Sequence, residues 1–182
     1  HRFADLSEPG FGVALLNDGK YGHGVHDNVL TLSLLRGPLY PDPLADEGEH
    51  RFTYSLLPHT GDWTASTVVQ EAFALNSPLV PVPIATAPAA PSLGLAEVEG
   101  VPLALGALKR AETGDALILR VYEPHGRRGA VMLRFHRSLI AAERVNLLDE
   151  PIDGAPLSIQ GDNAISLTVR PFEVVTLKLH LS

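Results

Sequence analysis

A polar loop between Asn17 and Asp27 holds the residues of this chain whose types and spacing could do chemistry. It combines amide, carboxyl, ammonium, phenol and imidazole groups, spaced by glycines: Asn17, Asp18, Lys20, Tyr21, His23, His26 and Asp27. Such groups can hold a metal ion, transfer a proton or bind the hydroxyl groups of a sugar. A strongly apolar run, Val29–Leu35, follows at once. The loop therefore lies at the edge of a packed element.

A zinc site can be drawn in this loop from His23 and His26 with Asp18 and Asp27 nearby. The two histidines lie in a glycine-rich loop rather than on a helix, and a third well-placed ligand is missing. We favour the alternative, a polar loop that bonds to backbone and water, and assign no metal ligand to this chain. Other histidines are scattered and are interpreted as solvated or hydrogen-bonded structural residues: His50, His59, His125, His136 and His180.

Motifs of nucleophilic catalysis are not present in the sequence. There is no G-x-S-x-G elbow, and the glycines of "GKYGHG" precede a strand-like run instead of the helix that a phosphate-binding loop needs. A carboxyl pair for glycoside chemistry is not singled out among the acidic residues: Asp18, Asp27, Asp42, Asp46 and Glu47. Tyr21 or Trp63 could stack on a sugar, although a lone tryptophan after Gly61-Asp62 favours a core or helix-start anchor. We assign no catalytic residue.

Alternation of apolar and polar residues predicts antiparallel strands before and after the middle of the chain. Prolines and glycines separate the alternating runs as turns. The runs are "VLTLSLL" (29–35), "RFTYSLL" (51–57), "ALILRVYE" (116–123), "AVMLRFH" (130–136) and "FEVVTLKLHL" (172–181). We therefore predict an all-β fold.

One segment departs from this pattern and predicts a short helix within Thr64–Leu75. In it, apolar residues recur at helical spacing: Val68, Val69, Ala72 and Phe73. Asp62 is a candidate N-cap, and Pro78 follows the predicted end.

The proline- and alanine-rich stretch "PVPIATAPAAPSLG" (81–94) interrupts the strand pattern. This composition favours an extended connector, which we place at 85–92 between regions 1–84 and 93–182. The second region shows roughly six or seven short strands, as expected of a small β-sandwich. The first region has too few strands to close its own sheet. We expect it to complete a larger sheet and to expose an apolar face or an open strand edge.

Composition limits the function classes. With 182 residues, 45% hydrophobic and 19% charged, the chain is globular, and a net charge of -7 disfavours nucleic acid and anionic membranes as partners. No apolar run is long enough to span a bilayer, and no secretory signal pattern is present. The absence of cysteine excludes disulfides and thiolate chemistry. The sequence starts at His1 without methionine, so an upstream targeting signal would be invisible.

Four motifs in the first region carry a resemblance to a known family. Phe3–Glu8 is similar to W-x-D-L-S-E with phenylalanine for tryptophan, and Gly12–Gly22 reads G-x-x-L-L-N-D-x-K-Y-G. Val29–Pro38 is a leucine-rich run ending S-L-L-R-x-P, and Asp46–Phe52 reads D-x-G-x-H-x-F with Glu47 before Gly48. Together they resemble the C-terminal region of glycoside hydrolase family 38 α-mannosidases, especially the bacterial and vacuolar or cytosolic branch. Looser matches at "EAFALNSPL", "ALKRAETGDALILRVYEPHG" and "PFEVVTLKLHL" extend the resemblance over nearly the whole chain.

This resemblance implies an antiparallel β-sandwich that is part of a larger supersandwich, followed by a small terminal β-sandwich. It also implies that the zinc ligands, aspartate nucleophile and acid catalyst lie in an N-terminal α/β-barrel domain that this sequence does not contain. The chain is then a non-catalytic region of a retaining α-mannosidase, inactive by itself and without a cofactor of its own. Its implied partners are that catalytic domain and the α-mannoside, with a homo-oligomer left open. Relatives in the bacterial branch suggest a cytoplasmic location.

In family members the K-Y-G loop belongs to a β-domain packed against the barrel, and related loops approach the mouth of the mannose site. The implied substrate-rim residues are Asn17, Asp18, Lys20, Tyr21 and His23. The alternative is that Asn17-Asp18-Gly19 forms a tight hairpin turn and that Tyr21 fills a domain interface. Two other functions stay open for the chain, a stand-alone carbohydrate-binding module and a structural or oligomerising sandwich.

Overall fold

The computed structural model of the chain describes residues 1–86, 94–153 and 157–182. They form antiparallel sheets and one α-helix, which confirms the predicted fold class. Contacts divide the chain into two units, His1–Ile84 and Ala85–Ser182. Of the predicted connector, residues 85–92, the part from 87 to 92 lies outside the described residues. No helix in the described ranges is long and apolar enough to cross a membrane.

The first unit contains a three-stranded antiparallel sheet and a separate hairpin. The sheet has the order β1-β2-β5, and β3 pairs only with β4. The strands are β1 (Phe3–Glu8), β2 (Phe11–Asn17), β3 (His23–His26), β4 (Val29–Leu32) and β5 (Tyr54–His59). The predicted strand 51–57 thus starts later and extends further, and part of the G-x-x-L-L-N-D-x-K-Y-G motif is strand β2 rather than loop.

The predicted helix divides into two pieces. A 3-10 helix spans Trp63–Ala65, and α1 spans Val68–Asn76. Asp62 caps the first piece, because its Oδ1 accepts the N–H of Thr64 at 2.8 Å. Between the two pieces, the N–H of Val68 donates to the hydroxyl of Ser66 at 3.2 Å. At this N–H, a side-chain acceptor takes the place of a helical backbone carbonyl. The prediction that Asp62 caps the α-helix is therefore wrong.

The helix packs on one face of the sheet. Ala14 and Leu16 of β2 are buried against Val68 and Ala72 of α1. Trp63 joins this cluster with its ring 5.7 Å from that of Phe3. Trp63 is thus the helix-start anchor that its sequence position favoured.

The second unit is a β-sandwich. Its two four-stranded antiparallel sheets have the orders β10-β13-β8-β7 and β11-β12-β9-β6. The strands are β6 (Ala96–Gly100), β7 (Ala104–Arg110), β8 (Leu117–Tyr122), β9 (Gly129–Phe135), β10 (Leu139–Val145), β11 (Ser158–Gln160), β12 (Ala164–Val169) and β13 (Val174–Leu181). Alternate residues of β8, β9, β12 and β13 fill the core between the sheets. Short strands such as Ser158–Gln160 lack enough alternation to be found in the sequence, so the described strands exceed the predicted number.

Candidate functional site

Asn17 organises the predicted rim loop from the end of β2. Its side chain is fully buried, and its Oδ1 accepts the N–H groups of Gly19 at 3.0 Å and Lys20 at 2.6 Å. Its Nδ2 donates to the carbonyl of His1 and lies 3.3 Å from Nε2 of His23. The amide therefore uses both its acceptor and its donors to hold the loop.

Two further residues, Asp18 and Asn76, tie the loop to neighbouring segments through hydrogen bonds. Asp18 accepts the N–H of Thr53 at 2.7 Å, and the Asp18 N–H donates to the Thr53 carbonyl at 3.2 Å. Asn76, the last residue of α1, donates from Nδ2 to the carbonyls of Asn17 and Ala72, both at 2.9 Å. The loop is thereby joined to the segment before β5 and to the end of the helix.

Lys20 and Tyr21 are the side chains that the loop presents. The Lys20 ammonium lies 4.3 Å from the centroid of the Phe52 ring, a cation–π contact that fixes its position. The Tyr21 residue is 70% exposed, and its ring lies 5.0 Å from that of His1. Tyr21 thus offers an ordered aromatic face and a phenol hydroxyl to solvent.

The five predicted rim residues lie between the end of β2 and the start of β3, but in different environments. Asn17 is buried, His23 is half-buried against it, and Asp18 is exposed with its carboxylate bonded to the backbone. The tight-hairpin alternative is wrong, because β2 pairs with β1 and β5 and not with β3. The hairpin turn lies instead at Asp27-Asn28 between β3 and β4, where Asp27 has φ of 51°. A rim role for the loop remains a prediction.

The histidines of the loop face different partners. His26 is exposed and lies 3.1 Å from Asp27, whereas His23 contacts the Asn17 amide. Within residues 1–86, 94–153 and 157–182, no three His, Cys, Asp or Glu side chains are grouped to hold a metal ion.

A buried polar cluster on the helix face of the sheet escaped the sequence analysis. Nε2 of His59 lies 2.7 Å from Oδ2 of Asp5, and both side chains are nearly inaccessible. The Ser7 hydroxyl also donates to Asp5. The cluster fits because position 12 is glycine, where a Cβ would lie 2.3 Å from Cε1 of His59. His59 and His125 are both largely buried rather than solvated, and His59 is a hydrogen-bonded structural residue through Asp5, the second of the two forms that the sequence predicted.

The opposite face of the sheet forms one wall of an apolar groove. The groove has a volume of about 700 Å³, and the β3–β4 hairpin forms its other wall. Val13, Leu15 and Leu56 line it from the sheet, and Leu30 and Leu32 line it from the hairpin. Leu56 is 66% exposed. The first unit therefore has the apolar face that its low strand number predicted.

Comparison with protein families identifies both parts of the chain. Residues 102–177 match the family 38 C-terminal beta sandwich domain of glycosyl hydrolases. Residues 1–44 match the family 38 C-terminal domain of glycosyl hydrolases.

Similar proteins are named α-mannosidases. The chain is 42% identical over 186 residues to human alpha-mannosidase 2C1, and this alignment covers 100% of the chain and 18% of the relative. It is 32% identical to alpha-mannosidase G of Dictyostelium discoideum, covering 98% of the chain and 17% of that protein. It is 30% identical to the alpha-mannosidase of Saccharomyces cerevisiae, covering 99% of the chain and 18% of that protein. The chain thus spans less than a fifth of the length of these relatives.

Two crystal structures of Enterococcus faecalis proteins share the fold. A family 38 glycosyl hydrolase superposes with a TM-score of 0.75 at 22% identity, covering 98% of this chain and 22% of that one. An alpha-mannosidase from strain V583 superposes with a TM-score of 0.77 at 23% identity, covering 99% of this chain and 21% of that one. The two family matches, the full-length alignments and this shared architecture agree, and the chain belongs to the C-terminal β-sandwich regions of glycosyl hydrolase family 38.

Proposed function

We propose that this chain is the non-catalytic C-terminal β-region of a retaining α-mannosidase and supports a catalytic domain in the same polypeptide. The observation that carries the proposal is that the chain aligns over its full length with human alpha-mannosidase 2C1 while spanning 18% of it. Retaining hydrolysis needs two carboxyl groups about 5 Å apart across the scissile bond. We place that pair, and the zinc expected with it, in the catalytic domain. A bacterial source and a cytoplasmic location rest on the family resemblance alone.

The Asn17–His23 loop is this chain's contribution to the mannoside site. In this proposal, Lys20 and Tyr21 contact the leaving-group sugar, since one is held as a fixed cation and the other is largely exposed. Asn17, Asp18 and His23 position them through the buried amide and the bond to Thr53. Fixing a leaving group in this way lowers the entropy cost of reaching the transition state.

The apolar groove is the surface that the rest of the enzyme covers in this proposal. Exposed apolar patches of this kind mark interaction sites on soluble proteins. The groove is lined by leucines from two separate elements, for example Leu56 of β5 and Leu32 of β4. A segment of the enzyme that covers the groove would bury both of its walls at once.

The rim role is tested in the intact enzyme with Lys20→Ala and Tyr21→Phe. We expect kcat/KM on a mannobiose to fall on the order of tenfold to a hundredfold, with a smaller loss on an aryl mannoside, whose leaving group needs less positioning. His26→Ala is the matched control, because His26 is exposed in the following hairpin and outside the proposed rim.

Other results would contradict the proposal. Equal kinetics on both substrates, with only thermal stability lowered, would make the loop a contact between domains. Turnover of a mannoside by this chain alone would overturn the non-catalytic assignment.

A stand-alone carbohydrate-binding or oligomerising module is the alternative. The exposed Tyr21 ring favours the first form and the apolar groove favours the second. Glycan binding by the isolated chain, or self-association through the groove in the intact enzyme, would support these alternatives over the main proposal.

A further inference from the structure

Phe172 occupies a strained backbone position in the turn between β12 and β13. The turn is closed by the N–H of Glu173 donating to the carbonyl of Arg170 at 3.1 Å, and Phe172 has φ of 59°. This position of a turn favours glycine or asparagine, because a side chain with positive φ crowds the backbone. Phe172 is nevertheless 63% exposed. A strained backbone position therefore carries an aromatic ring that lies mostly outside the core of its own unit.

A buried carboxylate holds this turn against the loop between β8 and β9. Glu123 is fully buried and accepts the N–H groups of His125 at 2.9 Å, Gly126 at 2.7 Å and Phe172 at 3.1 Å. The ring of Phe172 lies over Gly126, where a Cβ would approach its Cζ to 3.0 Å. The ring is thus presented on a preorganised base, which reduces the entropy lost on binding.

The same two segments are positively charged. Residues 124–128 and 170–172 contain Arg127, Arg128 and Arg170, and the adjacent carboxylates are engaged with backbone N–H groups (Glu123) and with Arg144 and Arg170 (Glu173), so the segments with these two residues carry a net charge of +1 in a chain with a net charge of -7. The Arg170 guanidinium is 74% exposed and lies 3.5 Å from Glu173, whose carboxylate is also bound by Arg144. An exposed aromatic ring with arginines beside it is the composition of a protein-binding hot spot. Its charge complements carboxylates.

We propose that residues 124–128 and 170–172, the Phe172 platform, dock a carboxylate-bearing segment from the part of the intact mannosidase outside this chain. The inference rests on the proposed function. The relatives that align over the full chain are more than five times its length, since it spans 17 to 18% of them. A covalently linked partner has a high effective concentration, so a small rigid surface is sufficient to hold it.

The first test compares Phe172→Asn in the isolated chain and in the intact enzyme. Asparagine tolerates positive φ and removes the ring. We expect the melting temperature of the isolated chain to stay level or rise, and that of the intact enzyme to fall, because the ring is buried against its partner only in the intact enzyme. Leu148→Asn is the matched control, because Leu148 is another exposed apolar residue of this unit. Equal shifts for Phe172→Asn in both proteins would overturn the inference.

The second test measures binding in trans between this chain and the separately expressed remainder of the enzyme. We expect Phe172→Asn to weaken binding about tenfold or more, and Arg127→Glu with Arg128→Glu to weaken it and reduce its salt dependence. If the wild-type chain does not bind the remainder even at roughly millimolar concentration, which matches the effective concentration of a linked segment, the proposed function fails. If wild type and Phe172→Asn bind equally, only the platform fails. Self-association or glycan binding of the isolated chain that Phe172→Asn abolishes would assign the platform to another occupant and overturn the proposal.

Discussion

Single buried polar side chains hold two of the loops. The Asn17 side chain joins its loop to the N-terminal segment, while the Asn17 carbonyl accepts from Asn76 at the end of α1, and Glu123 holds the two segments of the Phe172 platform. Buried polar groups of this kind are costly to leave unpaired. The stability of these loops therefore depends on a few buried polar side chains.

Asn17→Ala is expected to destabilise the first unit by about 2 kcal/mol or more, because it leaves the N–H groups of Gly19 and Lys20 without their acceptor. Urea unfolding of the isolated chain measures this change. Asn28→Ala, which removes an exposed amide in the same unit, is the control. A loss no larger than that of the control would show that water replaces the Asn17 side chain.

At the scale of elements, the connections at one end of the second unit are held by charged groups. Burial raises the pKa of Glu123, but backbone N–H bonds from Phe172, His125, Arg127 and Gly126 outweigh it and hold the pKa below its usual value. The pKa of Glu173 is also below its usual value. Burial raises this pKa, but the N–H of Arg170 and the Arg144 guanidinium lower it by more. Burial lowers the pKa of His125, and the Arg127 charge lowers it further against the opposing effect of Glu123.

These shifts predict that the second unit loses stability in two stages as pH falls. Below the ordinary histidine pKa of 6.5, the unfolded chain binds a proton that folded His125 does not, so the free energy of unfolding decreases. The two glutamates stabilise the fold above their ordinary pKa of 4.5 and lose this contribution as pH falls through their lower folded pKa values.

Urea unfolding of the isolated chain at a series of pH values measures both stages. His125→Gln is expected to remove the upper stage and leave the lower one, whereas His180→Gln, at an exposed position of β13, leaves both. A pH dependence that is unchanged by His125→Gln would show that another group titrates in the upper stage.

At the scale of the whole molecule, the two units differ in how completely they bury their own apolar surface. The second unit encloses a core between two sheets, whereas the first covers only the α1 face of its sheet and leaves the groove open. An open apolar face of this kind is a liability unless a partner covers it.

Leu56→Glu is expected to change a different property in the isolated chain and in the intact enzyme. In the isolated chain it lowers the binding of an apolar fluorescent dye, since Leu56 is an exposed residue of the groove wall. In the intact enzyme it lowers the melting temperature, because a charge is then buried under the covering segment. Ile140→Glu, at an exposed position of β10, is the control. An unchanged melting temperature of the intact enzyme would show that the groove stays open.

The sequence by itself determined the fold class, the positions of five strands (β4, β5, β8, β9 and β13) and the motifs that identify the family. These features depend on local information: alternation in a run such as Val29–Leu32, or the order of residues in Gly12–Gly22. The helix was located but its start was wrong, because Asp62 and Ser66 each offer a side-chain acceptor and sequence spacing does not show which N–H they bind.

Only the tertiary structure decided which polar residues are buried and which are presented. Asp5 and His59 form a buried pair because the register of β1, β2 and β5 brings Ser7 and His59 to either side of Gly12. Likewise, Asn17 and Tyr21 lie in one motif, yet the first is buried and the second exposed. Strand register and side-chain burial arise from contacts between residues far apart in sequence, so local periodicity and spacing do not contain them.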